Sequence, residues 1–254
     1  MDLGDCAPPF LTTVTAGQLT VGVPFDVGAP YVSTEKNSKA RVGFEADLVY
    51  AIAEDLGFRT TSVVWQDVDV DPAAPVVPDT VDLVLGQIPI QPPGIATAAF
   101  TAPYLDSRQV VIARAMSPAA GATNLADLAP LRLAVGSGTR GVMALATSVR
   151  PTTVLTEVPG PQAGVAELLG DRADALVLDL VDAGRVVAAS GGGLVIVGQL
   201  PAGAGDVAFG LALAPGNPLL ACVDRAVAEV IAGGQVDAGL AQWLGEGAAR
   251  PLVP

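Results

Sequence analysis

The glycine-rich segment GSGTRG, residues 136–141, has the residue types of an anion-binding turn. It lies between an apolar run and a helical pattern. Its backbone N–H groups, that of Gly138 included, therefore point outward where a helix dipole adds partial positive charge. The Thr139 hydroxyl can donate a further hydrogen bond, and Arg140 could bind a carboxylate bidentately or point to solvent. The alternative is a plain strand-to-helix connection with flexible glycines.

A single carboxylate, Asp179, ends the apolar run DALVLD. A carboxylate at the carboxyl end of a strand can hold an ammonium group by a charge-assisted bond worth about 1.5–3 kcal/mol. The same residue is a good N-cap for the helical pattern that follows. Both roles can hold together, whereas Asp174, at the start of the run, is interpreted as structural.

Aromatic side chains are the third group that could contact a small molecule. Four of them lie at or beyond the ends of predicted strands: Phe25, Tyr31, Trp65 and Tyr104. Rings in such places can enclose an apolar group or face a cation. For any single ring the alternative is packing in the core, which is our interpretation of Phe100 and Trp243.

The composition excludes several classes of function. The 254 residues include 26 acidic and 13 basic ones, a net charge of −13, so nucleic acid and anionic membrane surfaces are poor partners. There is no histidine, which removes histidine-based catalytic triads and metal sites. We therefore expect no cofactor and no metal.

The two cysteines, Cys6 and Cys222, match no metal-binding spacing. They could form one disulfide that ties the N-terminus to a late helix, or remain two free thiols. The first residues, MDLGDCAPPF, lack the basic and apolar regions of a signal peptide. The protein is then either cytosolic or exported with its signal already removed.

Apolar runs of strand length alternate with helical patterns along the chain. Strands are predicted at 19–25, 62–65, 82–86, 108–113, 131–135, 153–157, 174–179, 194–198 and 206–213. Helices are predicted at 45–57, 124–130, from about 142, and at 163–170, 181–189, 217–234 and 236–244. Continuous apolar strands between helices indicate a largely parallel α/β sheet, in which ligands bind at the carboxyl ends of the strands.

The order of five pieces points to a family. They are GFEADLVYAIAEDLG, then DLVLGQIPIQPPGIATAAFTAPYLDS, then NLADLAPLRLAVGSGTRG, DRADALVLD, and FGLALAPGNPLLACVDRAVAEVIAGGQVDAGLAQWLG. Together these resemble the family 3 extracellular solute-binding proteins, the amino-acid-binding receptors of ABC importers. The resemblance runs from about Leu19 to Gly245, nearly the whole chain.

This resemblance implies a two-lobed type II periplasmic-binding-protein fold, each lobe a mainly parallel sheet flanked by helices. Lobe 1 would comprise 1–105 and 206–254, and lobe 2 would comprise 106–205, with a two-strand hinge near 104–108 and 202–206. The ligand would lie in the cleft between the lobes. It further implies a monomer outside the cytoplasmic membrane that delivers its ligand to an ABC permease and ATPase subunits.

The resemblance also assigns roles to site residues. The turn with Gly138 and Thr139 would hold the ligand's carboxylate, and Asp179 would bind its amino group. In the family an arginine six positions before Phe100 grips the α-carboxylate, but here that position is Gly94. Pro89 likewise stands where a hydroxyl residue is common.

The missing arginine leaves the ligand open. Because a buried carboxylate without a partner costs several kcal/mol, either Arg140 and its turn bind it alone or the ligand is not an ordinary α-amino acid. Gln87 could add an amide contact. We predict a small polar solute, an amino acid or a related amine. The alternative is a cleft enzyme of the same fold, such as a cyclohexadienyl-type dehydratase, with Asp179 or Glu157 as its acid.

Overall fold

The computed structural model of the protein describes residues 4–36, 38, 40–92, 94–138, 140–203 and 206–253. The chain divides into two compact units, each with its own sheet. Unit 1 comprises Met1–Asp106 and Ala208–Gly239, and unit 2 comprises Ser107–Val207 and Leu240–Pro254. Within the described residues, no helix combines the length and the apolar character needed to cross a bilayer.

The strands fall close to the predicted apolar runs. They are β1 (Leu19–Pro24), β2 (Ser33–Thr34), β3 (Arg41–Val42), β4 (Val63–Val68), β5 (Leu83–Val84), β6 (Ala99–Phe100), β7 (Leu105–Ser107), β8 (Gln109–Arg114), β9 (Leu133–Gly136), β10 (Thr156–Val158), β11 (Ala175–Asp179), β12 (Leu194–Gln199), β13 (Val207–Phe209) and β14 (Ala212–Leu213).

The helices follow the predicted periodic segments. They are α1 (Phe44–Asp55), α2 (Leu125–Leu128), α3 (Arg140–Ala144), α4 (Pro161–Leu169), α5 (Leu180–Ala189), α6 (Leu220–Ala232) and α7 (Gln235–Leu244). Short 3₁₀ turns occur at Gly4–Cys6, Pro8–Phe10, Thr60–Ser62, Pro118–Gly121 and Glu246–Ala248, and a π-helical segment at Leu145–Val149 continues α3.

The sheet of unit 1 has the strand order β4-β1-β5-β14-β6. β1 pairs in parallel with β4 and β5, while β14 runs antiparallel to β5 and β6. Every residue of β1 is buried, as expected of a central strand covered on both faces. Cys6 and Cys222, both in this unit, form a disulfide bond with a Cα–Cα distance of 5.5 Å.

The sheet of unit 2 has the order β10-β9-β11-β8-β12. β9 pairs in parallel with β10 and β11, and β8 runs antiparallel to both β11 and β12. The core of this unit is a cluster of apolar side chains from the strands and α2, with Val111, Leu133, Val177 and Leu128 at its centre.

Local sequence signals explain several helix ends. The Asn124 side chain accepts from the backbone N–H of Asp127, and the Asp127 side chain accepts from the backbone of Asn124, a capping box that starts α2. α6 ends before Gly233, and it begins at Leu220, later than the predicted helix 217–234. Asn217 Oδ1 accepts from the Leu219 N–H at 2.9 Å and forms a turn ahead of the helix.

One predicted strand, 206–213, is two short strands in the structure. β13 and β14 are separated because the Gly210 N–H donates to the carbonyl of Ile88, outside both ladders. A Cβ atom at Gly210 would lie 2.9 Å from the Ile90 side chain, so only glycine fits this approach. β13 forms a two-stranded sheet with β7, and the chain passes between the units within these two strands.

The C-terminal segment corrects the predicted lobe boundary. Residues 240–254 belong to unit 2 instead of the lobe that holds 1–105. Leu252 donates its N–H to the carbonyl of Gln199, and Gln199 donates to the carbonyl of Arg250, both at 2.8 Å. The Leu252 side chain is 1% exposed in the unit 2 core. Backbone pairing with β12 and this burial hold the segment in unit 2.

Candidate functional site

A depression of about 360 Å³ lies at one edge of the unit 2 sheet. The carboxyl ends of parallel β9, β10 and β11 meet there, which is where ligands bind in open α/β sheets. Antiparallel β8 contributes its first residue to the same edge. The lining residues are Gln109, Gly136, Ser137, Gly138, Arg140, Pro159, Gly160, Pro161, Val177, Leu178, Asp179 and Asp182.

Asp179 is the last residue of β11 and the N-cap of α5. Its Oδ1 accepts a hydrogen bond from the Asp182 N–H at 3.0 Å. Both roles inferred from the sequence are therefore compatible, because the cap contact orients a half-buried carboxylate that lines the depression. Asp174, at the other end of this run, pairs with Arg132 at 2.6 Å and does not line the depression.

The predicted anion-binding turn lies beside Asp179. The Ser137 N–H donates to the carbonyl of Val158 at 2.8 Å, and Gly138 has φ +64 with open space around it. Thr139 lies outside the described residues. Arg140 begins α3 and lines the depression.

Two sources of positive charge lie at this turn. The π-helical segment continues α3 directly, so the peptide dipoles of both point at the turn. The Arg140 guanidinium adds a full positive charge at the same depression.

Gln109 is a lining residue that the sequence did not reveal. Its side chain is 5% exposed, and among the residues that the structure describes it has no hydrogen-bond partner. Among the described residues the buried side-chain atoms without a hydrogen-bond partner are Asp55 Oδ2 and Ser107 Oγ, so the Gln109 amide is not sealed in the core. It lines the depression, where a ligand could contact it. The signal was a polar residue at the head of the apolar run 108–113. β8 is antiparallel to β11, and their register places Gln109 opposite Asp179 at the site.

Asp182 is the second lining residue that was missed. Burial raises the pKa of Asp182, the negative charge of Asp179 raises it further, and Arg185 opposes both. Arg185 Nη1 is 4.0 Å from Asp182 Oδ1, and both side chains are 41% exposed, so this pairing is weak. The sequence signal for Asp182 was its position in the first turn of α5, the helix whose N-cap is Asp179.

The sequence-predicted residues of unit 1 are arranged differently, around Glu45. The Tyr104 hydroxyl donates to Glu45, and Gln87 donates its backbone N–H at 2.9 Å and its Nε2 at 2.6 Å to the same carboxylate. All three residues are buried. Burial, then the charge of Glu45, raises the pKa of the Tyr104 hydroxyl well above its ordinary value. Tyr104 and Gln87 are thus members of a buried network of unit 1, and neither lines the depression of unit 2.

The other predicted aromatic contacts of unit 1 do not form one wall. Tyr31 is 0% exposed and packs edge-on against Phe44 with ring centroids 6.4 Å apart, so it is a core residue. Phe25 is 72% exposed beyond β1. Trp65 lies within β4, and its Nε1 donates to the Tyr50 hydroxyl at 3.0 Å. It lines a separate depression of unit 1, of about 760 Å³.

Comparison with known protein families settles which family has this architecture. The model for bacterial extracellular solute-binding proteins, family 3, matches residues 19–246. The chain belongs to this family. The comparison with curated proteins found no match.

Solved structures show the same fold. The L-cystine solute receptor of Neisseria gonorrhoeae, in its unliganded open conformation, has a TM-score of 0.65 and 23% identity, covering 91% of this chain and 94% of that chain. A polar amino acid ABC uptake transporter substrate-binding protein from Streptococcus thermophilus has a TM-score of 0.64 and 19% identity, with coverages of 98% and 94%. An ancestral arginine-binding protein bound to arginine has a TM-score of 0.50 and 26% identity, with coverages of 90% and 99%.

These likenesses establish the type II periplasmic-binding-protein fold that the motifs implied. Family 3 proteins are solute-binding receptors, and this one has two sheet-bearing units in keeping with them. Because the chain belongs to this family, the residues of 86–104 that differ from the family pattern, Pro89 and Gly94, become more informative.

In this family 3 protein the segment 89–97 is a structural turn. Gly94 has φ +97 and is exposed, and apart from its chain neighbours no described atom lies within 4 Å of the position of a Cβ there. Gln91 donates Nε2 to the carbonyl of Ala73 at 2.6 Å and accepts from the Thr97 N–H at 2.9 Å. Pro89 forms an isolated bridge with Phe209. The side chain of Gln91 therefore holds the turn.

The structure also gives the position of Glu157, the other acid considered for an enzyme. Glu157 lies on β10 with an exposed side chain and is not among the residues that line the depression. Of the two acids weighed for catalysis, only Asp179 lines it, beside Arg140 and the unpartnered Gln109. This arrangement of a carboxylate, a guanidinium and an amide is suited to holding a small molecule with separate positive and negative groups.

Proposed function

We propose that this chain is the extracytoplasmic solute-binding receptor of an ABC importer and captures an amino acid or a related small amine. The observation that carries the proposal is that Asp179, Arg140 and the 136–138 turn line the same depression of unit 2. The similar structures are receptors for L-cystine, polar amino acids and arginine, which is consistent with this class. The partners would be a permease and its ATPase subunits, with the receptor acting as a monomer.

The chemistry assigns one charge to each residue. Asp179 would accept hydrogen bonds from the ligand's ammonium group through the oxygen that the helix cap leaves available. Arg140 would bind the carboxylate, and a guanidinium can do so with two parallel N–H donors. Because Gly94 supplies no second guanidinium, Arg140 would carry most of the attraction for the carboxylate.

No bond-making step is needed for this role, and we propose that the protein is not an enzyme. A receptor requires reversible binding only, so groups that hold a charge suffice. Asp179 serves a helix cap at the same time, which fixes its orientation for binding.

The proposal is tested by a thermal-shift screen against amino acids, small amines and small carboxylates, followed by calorimetry of the hits. A ligand at 100 times its Kd stabilises the folded protein by about 2.7 kcal/mol, which is readily seen as a higher Tm. Asp179→Asn keeps an oxygen for the Asp182 N–H and so keeps the helix cap, but it removes the charge. We expect its affinity for the hit to fall about 10- to 100-fold.

Asp174→Asn is the matched control because it changes the same residue type at the opposite end of β11 and away from the depression. It should leave Kd unchanged, even if the loss of its pairing with Arg132 lowers Tm slightly. Equal affinities of the wild type and Asp179→Asn would contradict the proposed site. A screen without any stabilising amino acid or amine, or steady conversion of a cyclic carboxylate, would contradict the receptor function.

A further inference from the structure

We infer that Asp182 selects ligands with a second cationic group, so that the site takes basic amino acids in preference to neutral ones. This inference rests on the function proposed above and deepens it. It arises from the position of Asp182 in the first turn of α5, beside Asp179 and inside the same lining.

The charges of the lining are unequal. The charged side chains among the described lining residues are Asp179, Asp182 and Arg140, two carboxylates against one guanidinium. A neutral zwitterion would match Asp179 and Arg140 and leave the second carboxylate without a ligand group. A ligand with one carboxylate and two cationic groups would match all three, which is the charge pattern of a basic amino acid.

Within the described part of the chain, the ion pair shown for Asp182 is a weak one. Arg185 Nη1 lies 4.0 Å from Asp182 Oδ1, at the outer limit of an ion pair, and both side chains are 41% exposed. Such a pair contributes little, so the carboxylate remains available to a better-placed cation. The raised pKa of Asp182 agrees with this, because burial and Asp179 disfavour its charged form until a cation arrives.

Gln109 is an independent sign that this wall contacts a ligand. Gln109 is 5% exposed and lies at the register position opposite Asp179, and it lines the depression without a side-chain hydrogen bond to another described residue. An amide can donate to a carboxylate and accept from an ammonium or guanidinium group. The wall therefore presents three polar side chains, Asp179, Asp182 and Gln109, to a ligand with more than one polar group.

The test is calorimetry with matched pairs of probes. L-Arginine is compared with L-citrulline, and L-lysine with L-norleucine, since each pair differs chiefly in the side-chain charge. We expect the wild type to bind L-arginine or L-lysine at least about tenfold more tightly than its neutral counterpart. Asp182→Asn should abolish that ratio, whereas Asp182→Glu, which restores the charge, should retain part of it.

The remaining outcomes separate the two proposals. If amino acids bind but the basic and neutral probes bind alike, or if Asp182→Asn keeps the ratio, the inference is wrong and the receptor function stands. If no amino acid or amine binds while Tm shows a folded protein, both fail. Glu157→Gln removes an exposed charge of unit 2 outside the lining, so its ratio should equal that of the wild type.

Discussion

Unit 1 and unit 2 treat similar polar side chains in opposite ways. In unit 1, Gln87 is buried and both its backbone N–H and its Nε2 donate to Glu45. In unit 2, Gln109 is equally buried but lines a depression without a partner among the described residues. A satisfied buried network stabilises a fold, whereas an amide that lines a depression can contact a ligand.

The same contrast holds for the carboxylates. Glu45, 1% exposed, collects donors from Gln87 and Tyr104, while Asp179 and Asp182 are half-buried at the edge of a depression. Unit 1 therefore uses these polar residues to support its own fold, whereas the proposed function has unit 2 present its polar residues to a solute.

Glu45→Ala should lower the free energy of unfolding by about 4 kcal/mol, because it leaves the Tyr104 hydroxyl and two Gln87 donors buried without an acceptor. The free energy is measured by denaturant unfolding followed by tryptophan fluorescence. A Trp243→Phe background is used, because the remaining tryptophan, Trp65, lies in unit 1. Glu54→Ala, an exposed position on the same helix, should change the free energy by less than about 0.5 kcal/mol. Similar losses in both variants would refute the network's role.

Replacing Cys6 and Cys222 together by serine should destabilise unit 1 by about 2–4 kcal/mol. The disulfide closes a loop with a sequence separation of 216, so its loss frees the unfolded chain. The affinity of unit 2 for a ligand should not change. A thiol titration of the unreduced, denatured wild type provides the check: two reactive thiols would show that the bond does not form.

Gln87→Met and Gln109→Met should separate stability from binding. Gln87→Met removes a charge-assisted bond to Glu45 and should destabilise by about 2 kcal/mol. Gln109→Met changes an amide that lines the depression and should change the free energy of unfolding by about 1 kcal/mol or less. Tm without ligand and Kd with ligand are measured for both, and only Gln109→Met should weaken binding. An unchanged Kd in Gln109→Met would contradict its contact with the ligand.

The smallest effect concerns pH. Since the pKa of Asp182 is raised in the folded protein, its charge disfavours folding above that pKa, and protonation relieves the cost as the pH falls. Asp182→Asn should therefore be slightly more stable than the wild type at neutral pH, with the difference vanishing below the ordinary pKa of an aspartate. Binding of L-arginine should show the opposite dependence, weakening as the pH falls through the raised pKa. Tm and Kd from pH 3.5 to 7.5 measure both, and a variant less stable at neutral pH would contradict the sign.

Local patterns predicted the parts of the fold that depend on nearby residues. The capping box of Asn124 and Asp127 and the cap formed by Asp179 involve residues three positions apart, so they can be recognised in the sequence. The C-terminal segment 240–254 could not be assigned in this way. It belongs to unit 2 because of pairing with β12 and burial of Leu252, contacts between residues far apart in the chain.

The sequence by itself determined the alternation of strands and helices, the family, the missing arginine at Gly94 and the place of Asp179 at the end of a strand. Only the tertiary structure decided which polar residues face a depression and which are satisfied inside a core. Gln87 and Gln109 are the same residue type at the edge of an apolar run, and neither neighbourhood distinguishes them. Their surroundings come from distant segments: Glu45 accepts from Gln87, and the register of antiparallel β8 and β11 places Gln109 opposite Asp179. Burial and hydrogen bonding depend on those long-range neighbours, and a local pattern does not specify them.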